Sequence, residues 1–479
     1  MTEQTTEPTL SRRLACFADT VRRTTLPEEV ASSVRDRILD VLGLCVAARR
    51  LDTSAAALAY VREQGGAGQA HVIGDATLVP AALAALANGV LAHSLDYDDT
   101  HLPSVLHPSA SVVPAALAAA EAAGADGDAV LAAVAAGLEV CVRLGMAGYD
   151  RDAKNSTYFE HGQHATSICG AIGGAVAAAM LLGLDEDGIA NTIGVSASMA
   201  AGVIEANRTG GTVKRLHCGW AAHAAVSAAQ LVRHGFTGPP TVLEGRFGFF
   251  EAFLRGEFDP AEITDGLGER WTVPGIFFKP YPANHFTHTI VDAGRALREQ
   301  GVDPAEIESL TIGVPAAVVR TVGEPIARKR TPATTYEAQF SGPYAAVVGL
   351  LGGAGLGASY ADYAEALLGE PARVRLMACT DVVADDECSA IFPYQFPAVL
   401  LARTRDGREW TAKVLVNRGG PDHPLTIDEL RAKFRDNVAG VLTDDAAGAV
   451  EKCVAGLGNG TRPDELLALA HEQKEQGDV

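Results

Sequence analysis

Residues 93–109 read HSLDYDDTHLPSVLHPS, which puts three histidines and three aspartates into seventeen positions of a chain otherwise rich in alanine and glycine. Imidazoles and carboxylates are costly to bury and unnecessary for packing, so this density points to proton-transfer chemistry. Ten of the 13 histidines fall within residues 93–288, in clusters at His93/His101/His107, His161/His164, His217/His223/His234 and His285/His288. Such grouping suggests one site assembled from several separated segments. For Asp98 and Asp99 a turn-capping role is an equally good reading.

The elements that must position these groups are helix ends. Ala92-His93-Ser94-Leu95 closes a helix that starts near Pro80, residues 96–107 form a loop, and Pro108 opens the next helix as its first residue. His107 is then an N-cap beside the positive end of a helix dipole, where the carboxylates of a ligand are favoured. His164, in HGQHAT, precedes another long apolar helix and stands at the same kind of position. Lys214, in GGTVKRLHCG, follows two glycines and precedes an alanine-rich helix. A lysine drawn into a partly apolar cavity holds a carboxylate or donates a proton, although a solvated surface lysine is the commoner case. Asp96, Asp98, Asp99 and His101 have metal-binding side chains, but HExxH, EF-hand spacing and a second Asp-rich motif are missing, so no metal is expected. No strand precedes a GxGxxG, which argues against a dinucleotide.

A chain of 479 residues is expected to form two domains. Hydrophobic residues make up 48% and aromatics only 6%, so the interior should be closely packed helices with small contact residues. The net charge of −20 disfavours nucleic acid and anionic membranes as partners, yet leaves room for a small anionic substrate in a locally positive pocket. The longest uncharged apolar run, residues 168–184, only touches the length a membrane span needs and is mostly Gly and Ala, which favours a buried helix. Eight scattered cysteines without a CxxC pair, and no basic start followed by an apolar run, fit a cytoplasmic protein with reduced thiols.

Helical patterns fill residues 10–256, including a helix over 30–48, one opened by Asp126, and one opened by Asp185 after Gly183 closes its predecessor. After Gly266, strand composition appears at 309–314, 374–377 and 398–404, the last joined through Asp406-Gly407 to 409–416 as a β-hairpin. Helices resume at 426–441, 444–457 and 463–471. The expected architecture is a large all-α domain, residues 1–268 and 405–479, interrupted by a smaller α+β domain at 269–404.

The segments ANGVLAHSLDYDDTH, HPSA, HGQHATS, GGTVKRLHCGWAA and KPYPANHFTH, in this order over nearly the whole chain, resemble the MmgE/PrpD family, which includes 2-methylcitrate dehydratase, cis-aconitate decarboxylase and iminodisuccinate epimerase. The resemblance implies a helical domain with an α+β lid, a homodimer, and catalysis without metal or organic cofactor. By matching motif it implies active-site roles for Asp96, Thr100, His107, His164 and Lys214, and for Lys279 at the head of the lid segment. Catalysis is assigned to His107, His164, Lys214 and Asp96, and substrate binding to Thr100, Lys279, Asn284 and His285. Two departures stand out. Six residues separate Thr100 from His107, one more than in the decarboxylase-type motif, and Asn284 falls where the decarboxylase carries a histidine, with His285 as its neighbour. The segment AAVVRTVGEP also lacks the decarboxylase's lid tyrosine. The implied reaction is loss of water from a di- or tricarboxylate by proton abstraction α to a carboxylate. Epimerisation of a succinate-type substrate and decarboxylation are the alternatives, and a non-catalytic carboxylate-binding homologue is the least favoured.

Overall fold

The computed structural model describes residues 7–206 and 210–470. The chain divides into two compact units: Met1–Ser94, Pro103–Ile276 and Asn437–Val479 form the first, and Leu95–Leu102 with Phe277–Asp436 form the second.

The first unit is helical. Its principal helices are Leu10–Arg23, Glu28–Ala48, Asp52–Gln64, Ala81–His93, Ser109–Ala123, Gly127–Ala147, Ala165–Leu181, Glu186–Ala197 and Val213–Arg233, with Asp444–Ala455 and Pro463–Leu469 returning from the C-terminal end. Side-chain caps start several of them. Asp126 accepts the Ala129 N–H at 2.9 Å and Asp185 the Gly188 N–H at 2.9 Å, each satisfying a donor that the first turn leaves open. The Ala165–Leu181 helix is buried along its whole length and packs against Gly127–Ala147, Ser109–Ala123 and Val213–Arg233.

Small residues set these helices close together. A Cβ on Gly89 would stand 2.7 Å from the Cys218 carbonyl oxygen, and one on Gly219 would stand 2.5 Å from that of Leu86. Backbones therefore touch where Ala81–His93 crosses Val213–Arg233. Among the described residues one helix, Gly127–Ala147, has the length and apolarity to cross a membrane, but 89% of its apolar window is buried, as befits a core helix.

The second unit carries a four-stranded sheet in the order Thr380–Ala384, Ile307–Val314, Ala398–Thr404, Glu409–Val414. The first pair is parallel and the others are antiparallel. Helices His288–Glu299 and Gly342–Leu351 supply apolar side chains to its core, including Ile290, Val291, Leu297, Tyr344 and Val347. The molecule is thus a mainly helical α+β protein.

Three expectations shift. Residues 374–377 are not a strand but part of the helix Pro371–Ala378, because Pro371 sits at its first position and pre-sets the helical φ. The strand is the following Thr380–Ala384. The unit boundaries fall at Ile276/Phe277 and Asp436/Asn437 rather than 268/269 and 404/405. A cut at 404 would split the hairpin, whose second strand pairs from Ala398↔Val414 to Arg403↔Glu409. The last helix ends at Leu469, and His471 lies outside the described residues.

Candidate functional site

Four imidazoles form a row inside the first unit. Ring centroids lie 5.3 Å apart for His107 and His93, 5.8 Å for His93 and His164, and 4.9 Å for His164 and His217. The last pair is hydrogen-bonded, Nδ1 to Nδ1, at 3.0 Å.

Each ring comes from a different element. His93 ends the Ala81–His93 helix. His107 precedes Pro108, whose φ of −70° and ψ of −35° are already helical, so it stands just before the first turn of Ser109–Ala123 as expected. Its N–H donates to the Thr166 hydroxyl at 3.2 Å, which ties the loop to the next helix. His164 is the residue before Ala165–Leu181, and its N–H donates to the Gly202 carbonyl at 3.1 Å. Gly202 has φ +154°, which L side chains rarely adopt, and a Cβ there would press within 3.1 Å of both His164 Cβ and Ser167 Cβ. His217 lies inside Val213–Arg233, three residues after the half-buried Lys214, so the two share one helix face.

Burial and nearby positive groups favour the neutral form of His164 and His217. Desolvation first, then the neighbouring charges of His93, His217, Lys214 and His107, hold His164 well below the usual histidine pKa. His217 is lowered to about 4, again chiefly by burial, with His93 and Lys214 adding to it. A neutral imidazole with a lone pair is a competent base at neutral pH, and its neighbour with an N–H is a competent acid.

The remaining candidates lie in the second unit. Lys279 is 1% exposed and gives two hydrogen bonds to Asp96, at 2.8 Å to its carboxylate and 2.9 Å to its carbonyl. Asp96 can offer both oxygens because it adopts φ +52°, a left-handed conformation that aspartate tolerates better than most residues. Thr100 exchanges two backbone hydrogen bonds of 2.8 Å with Phe277. Gln339 donates to the carbonyls of Leu95 and Pro282, and Lys433 donates to the Tyr97 carbonyl while lying 3.9 Å over its ring. These bonds strap Leu95–Leu102 into the second unit. Asn284 caps the short turn His285–Thr287, its side-chain oxygen accepting the Phe286 N–H at 3.0 Å. His285 is buried, stacked at 4.5 Å on His288 and edge-on to Phe277 and Phe396. Burial, and then the cation of Lys279, lowers His288 to about 3.

The structure therefore brings His107, His164 and Lys214 together within one unit, and Asp96, Thr100, Lys279, Asn284 and His285 within the other. Reading the sequence named His93 and His217 only as cluster members, and passed over Gln339 and Lys433. For His217 a usable signal existed, its spacing of three from Lys214 on one helix. Nothing local marks Gln339 or Lys433, whose partners in Leu95–Leu102 are 244 and 336 residues away. Among the described residues no group of three or more His, Cys, Asp or Glu is placed to hold a metal ion. A cavity of about 430 Å³ lined by Arg143, Arg151, Asp259, Glu262, Asp265 and Arg270 contains none of the candidate site residues, and its Arg143 is consumed by Glu139 and five backbone carbonyls.

The chain thus combines a helical unit that holds a row of four imidazoles with an α+β unit, inserted in sequence, that holds a buried Lys–Asp pair. Family models place it further: the MmgE/PrpD N-terminal domain matches residues 12–261 and the MmgE/PrpD C-terminal domain matches residues 281–457. The chain belongs to the MmgE/PrpD family. It is similar to a cis-aconitate decarboxylase-like protein, oryM, of Aspergillus oryzae, at 25% identity over 98% of both chains. It is also similar to the cis-aconitate decarboxylase of Homo sapiens, at 29% over 79% of this chain and 77% of that one. A third relative, the cis-aconitate decarboxylase of Aspergillus terreus, is 29% identical over 56% of each chain.

Proposed function

We propose that this protein is a cofactor-independent lyase acting on a small di- or tricarboxylate, and that it works by moving a proton at the carbon α to a carboxylate. The observation that carries this reading is the row of adjacent rings His107, His93, His164 and His217, of which the buried His164 and His217 favour the neutral form, with Lys214 beside it.

The leading reaction is dehydration of a hydroxy-carboxylate related to 2-methylcitrate. One imidazole takes the α-proton, the released electron pair forms the carbon–carbon double bond, and the hydroxyl leaves with a proton from a second group, an imidazole or Lys214. A cation near the substrate carboxylate stabilises the charge that builds up as the α-proton leaves. Decarboxylation is the second reading, favoured by the names of the relatives. There the bond to a carboxylate carbon breaks, carbon dioxide departs, and a protonated group, an imidazolium or Lys214, gives a proton to the carbanion left behind and is reprotonated from solvent. Epimerisation would need two opposed acid/base groups and no leaving group.

Incubation of the chelator-treated protein with citrate, methylcitrate, aconitate and substituted succinates and maleates tests the reading, followed by ultraviolet absorbance and mass analysis. A product lighter by one water supports dehydration, one lighter by carbon dioxide supports the second reading, and deuterium uptake from solvent at unchanged composition supports epimerisation. No turnover of any carboxylate, or activity that disappears on chelation, overturns the proposal. A homodimer is part of the same proposal, and sedimentation at one subunit mass would remove it.

A further inference from the structure

The His164–His217 hydrogen bond joins two like groups, and this has a chemical consequence. Between two neutral imidazoles bonded Nδ1 to Nδ1 there is one proton, held by one ring and accepted by the other. The donor ring must then carry its lone pair at Nε2, and the acceptor ring must carry its remaining N–H at Nε2. The pair thus presents one base and one acid as a matched set. Two unlinked imidazoles would instead sample both tautomers independently.

We propose that His217 is a positioning residue for His164: the shared proton holds the His164 ring in one orientation and one tautomer, so that its Nε2 has a defined role in proton transfer. Several observations support this. The pair is buried, and the titratable groups that face it are His93 and His107 from neighbouring elements and Lys214 from the His217 helix, all of which oppose a second proton on it. His217 is fixed at its own backbone, whose carbonyl accepts the Ser167 hydroxyl at 2.9 Å from the helix that His164 opens. His164 is fixed at its backbone by Gly202. Both rings are therefore held at both ends, the arrangement that an orienting partner requires. If His164 takes a proton at Nε2, its Nδ1–H becomes the donor of a charge-assisted bond to neutral His217, which stabilises the cation without moving a second proton.

The inference rests on the proton-transfer reading of this site, and its first test needs no substrate. In the full-length protein labelled with nitrogen-15 at histidine, nuclear magnetic resonance should show one downfield proton coupled to ring nitrogens of two different histidines, lost in both His164→Ala and His217→Ala. Once a substrate is found, His217→Ala should lower kcat about 10–100-fold with KM within about twofold, the range for loss of a group that orients a working histidine. His217→Asn, whose amide reaches the Nδ1 position and still forms one hydrogen bond, should recover at least about a third of the wild-type kcat. Two rings that titrate separately with no shared proton, a His217→Ala enzyme as fast as wild type, or an Asn variant no better than Ala would each overturn the proposal. If the shared proton is found but no carboxylate is turned over, the pairing stands and the proposed function falls.

Discussion

At His164 burial, charge and hydrogen bonding all act on one imidazole. Replacing it with alanine should reduce turnover by about 10²–10⁴-fold, the range for loss of a general acid or base, and His107→Ala should fall in the same range. Because His164 is held below its ordinary value, the acid limb of the kcat/KM profile should lie below the usual imidazole pKa of about 6.5. Lys214 contributes to that lowering, since a nearby cation opposes a second one. Lys214→Met should therefore move the acid limb upward in pH, and a limb that stays or moves down would show that this charge does not act on the pair. In the second unit, Lys279→Met removes the ammonium bonded to the buried Asp96 carboxylate and should cost about 3–5 kcal/mol in urea unfolding, whereas the double change with Asp96→Asn should recover part of it.

The helix crossing of Ala81–His93 with Val213–Arg233 decides where three of the functional groups stand. Gly89 lies four residues before His93, and Gly219 lies two after His217 and five after Lys214. Gly219→Ala would drive a methyl into the Leu86 carbonyl and should destabilise the fold by about 1–3 kcal/mol. Turnover should fall with it, because separating the helices separates His93 from His217. Gly448→Ala is the matching control. It sits within Asp444–Ala455 with open space around it, so the same methyl should be neutral or stabilising by up to about 1 kcal/mol. Thermal unfolding of the two variants side by side distinguishes a packing effect from a helix-propensity effect.

Over the whole molecule, folding stability is linked to pH through His71 and Glu121. The Glu121 carboxylate takes the His71 Nδ1–H at 2.6 Å and its backbone N–H at 2.7 Å, and this hydrogen bond raises the His71 pKa despite partial burial. A raised folded-state pKa contributes stability that is fully present below the unfolded value of about 6.5 and is lost as pH rises through the folded one. Glu121→Gln should therefore destabilise by about 1.5 kcal/mol near pH 6 and by clearly less near pH 9. Equal losses at both values would show that the imidazolium form contributes nothing.

The sequence by itself determined the helices, since their caps and apolar runs are local. Asp126 and Asp185 cap where they were expected to, Pro108 and His164 stand at helix starts, and Ala398–Thr404 and Glu409–Val414 form the hairpin that Asp406-Gly407 signals. It also determined the family, because the histidine, aspartate and lysine motifs occur together and in order. Local propensity misread residues 374–377, where a proline at the helix start outweighed strand composition. Only the tertiary structure decided which groups meet. His164 and His217 are 53 residues apart, and Lys279 lies 183 residues from Asp96. No periodicity encodes such separations. The assignment of Leu95–Leu102 to the second unit was equally hidden, for it rests on hydrogen bonds from Gln339 and Lys433 hundreds of residues downstream.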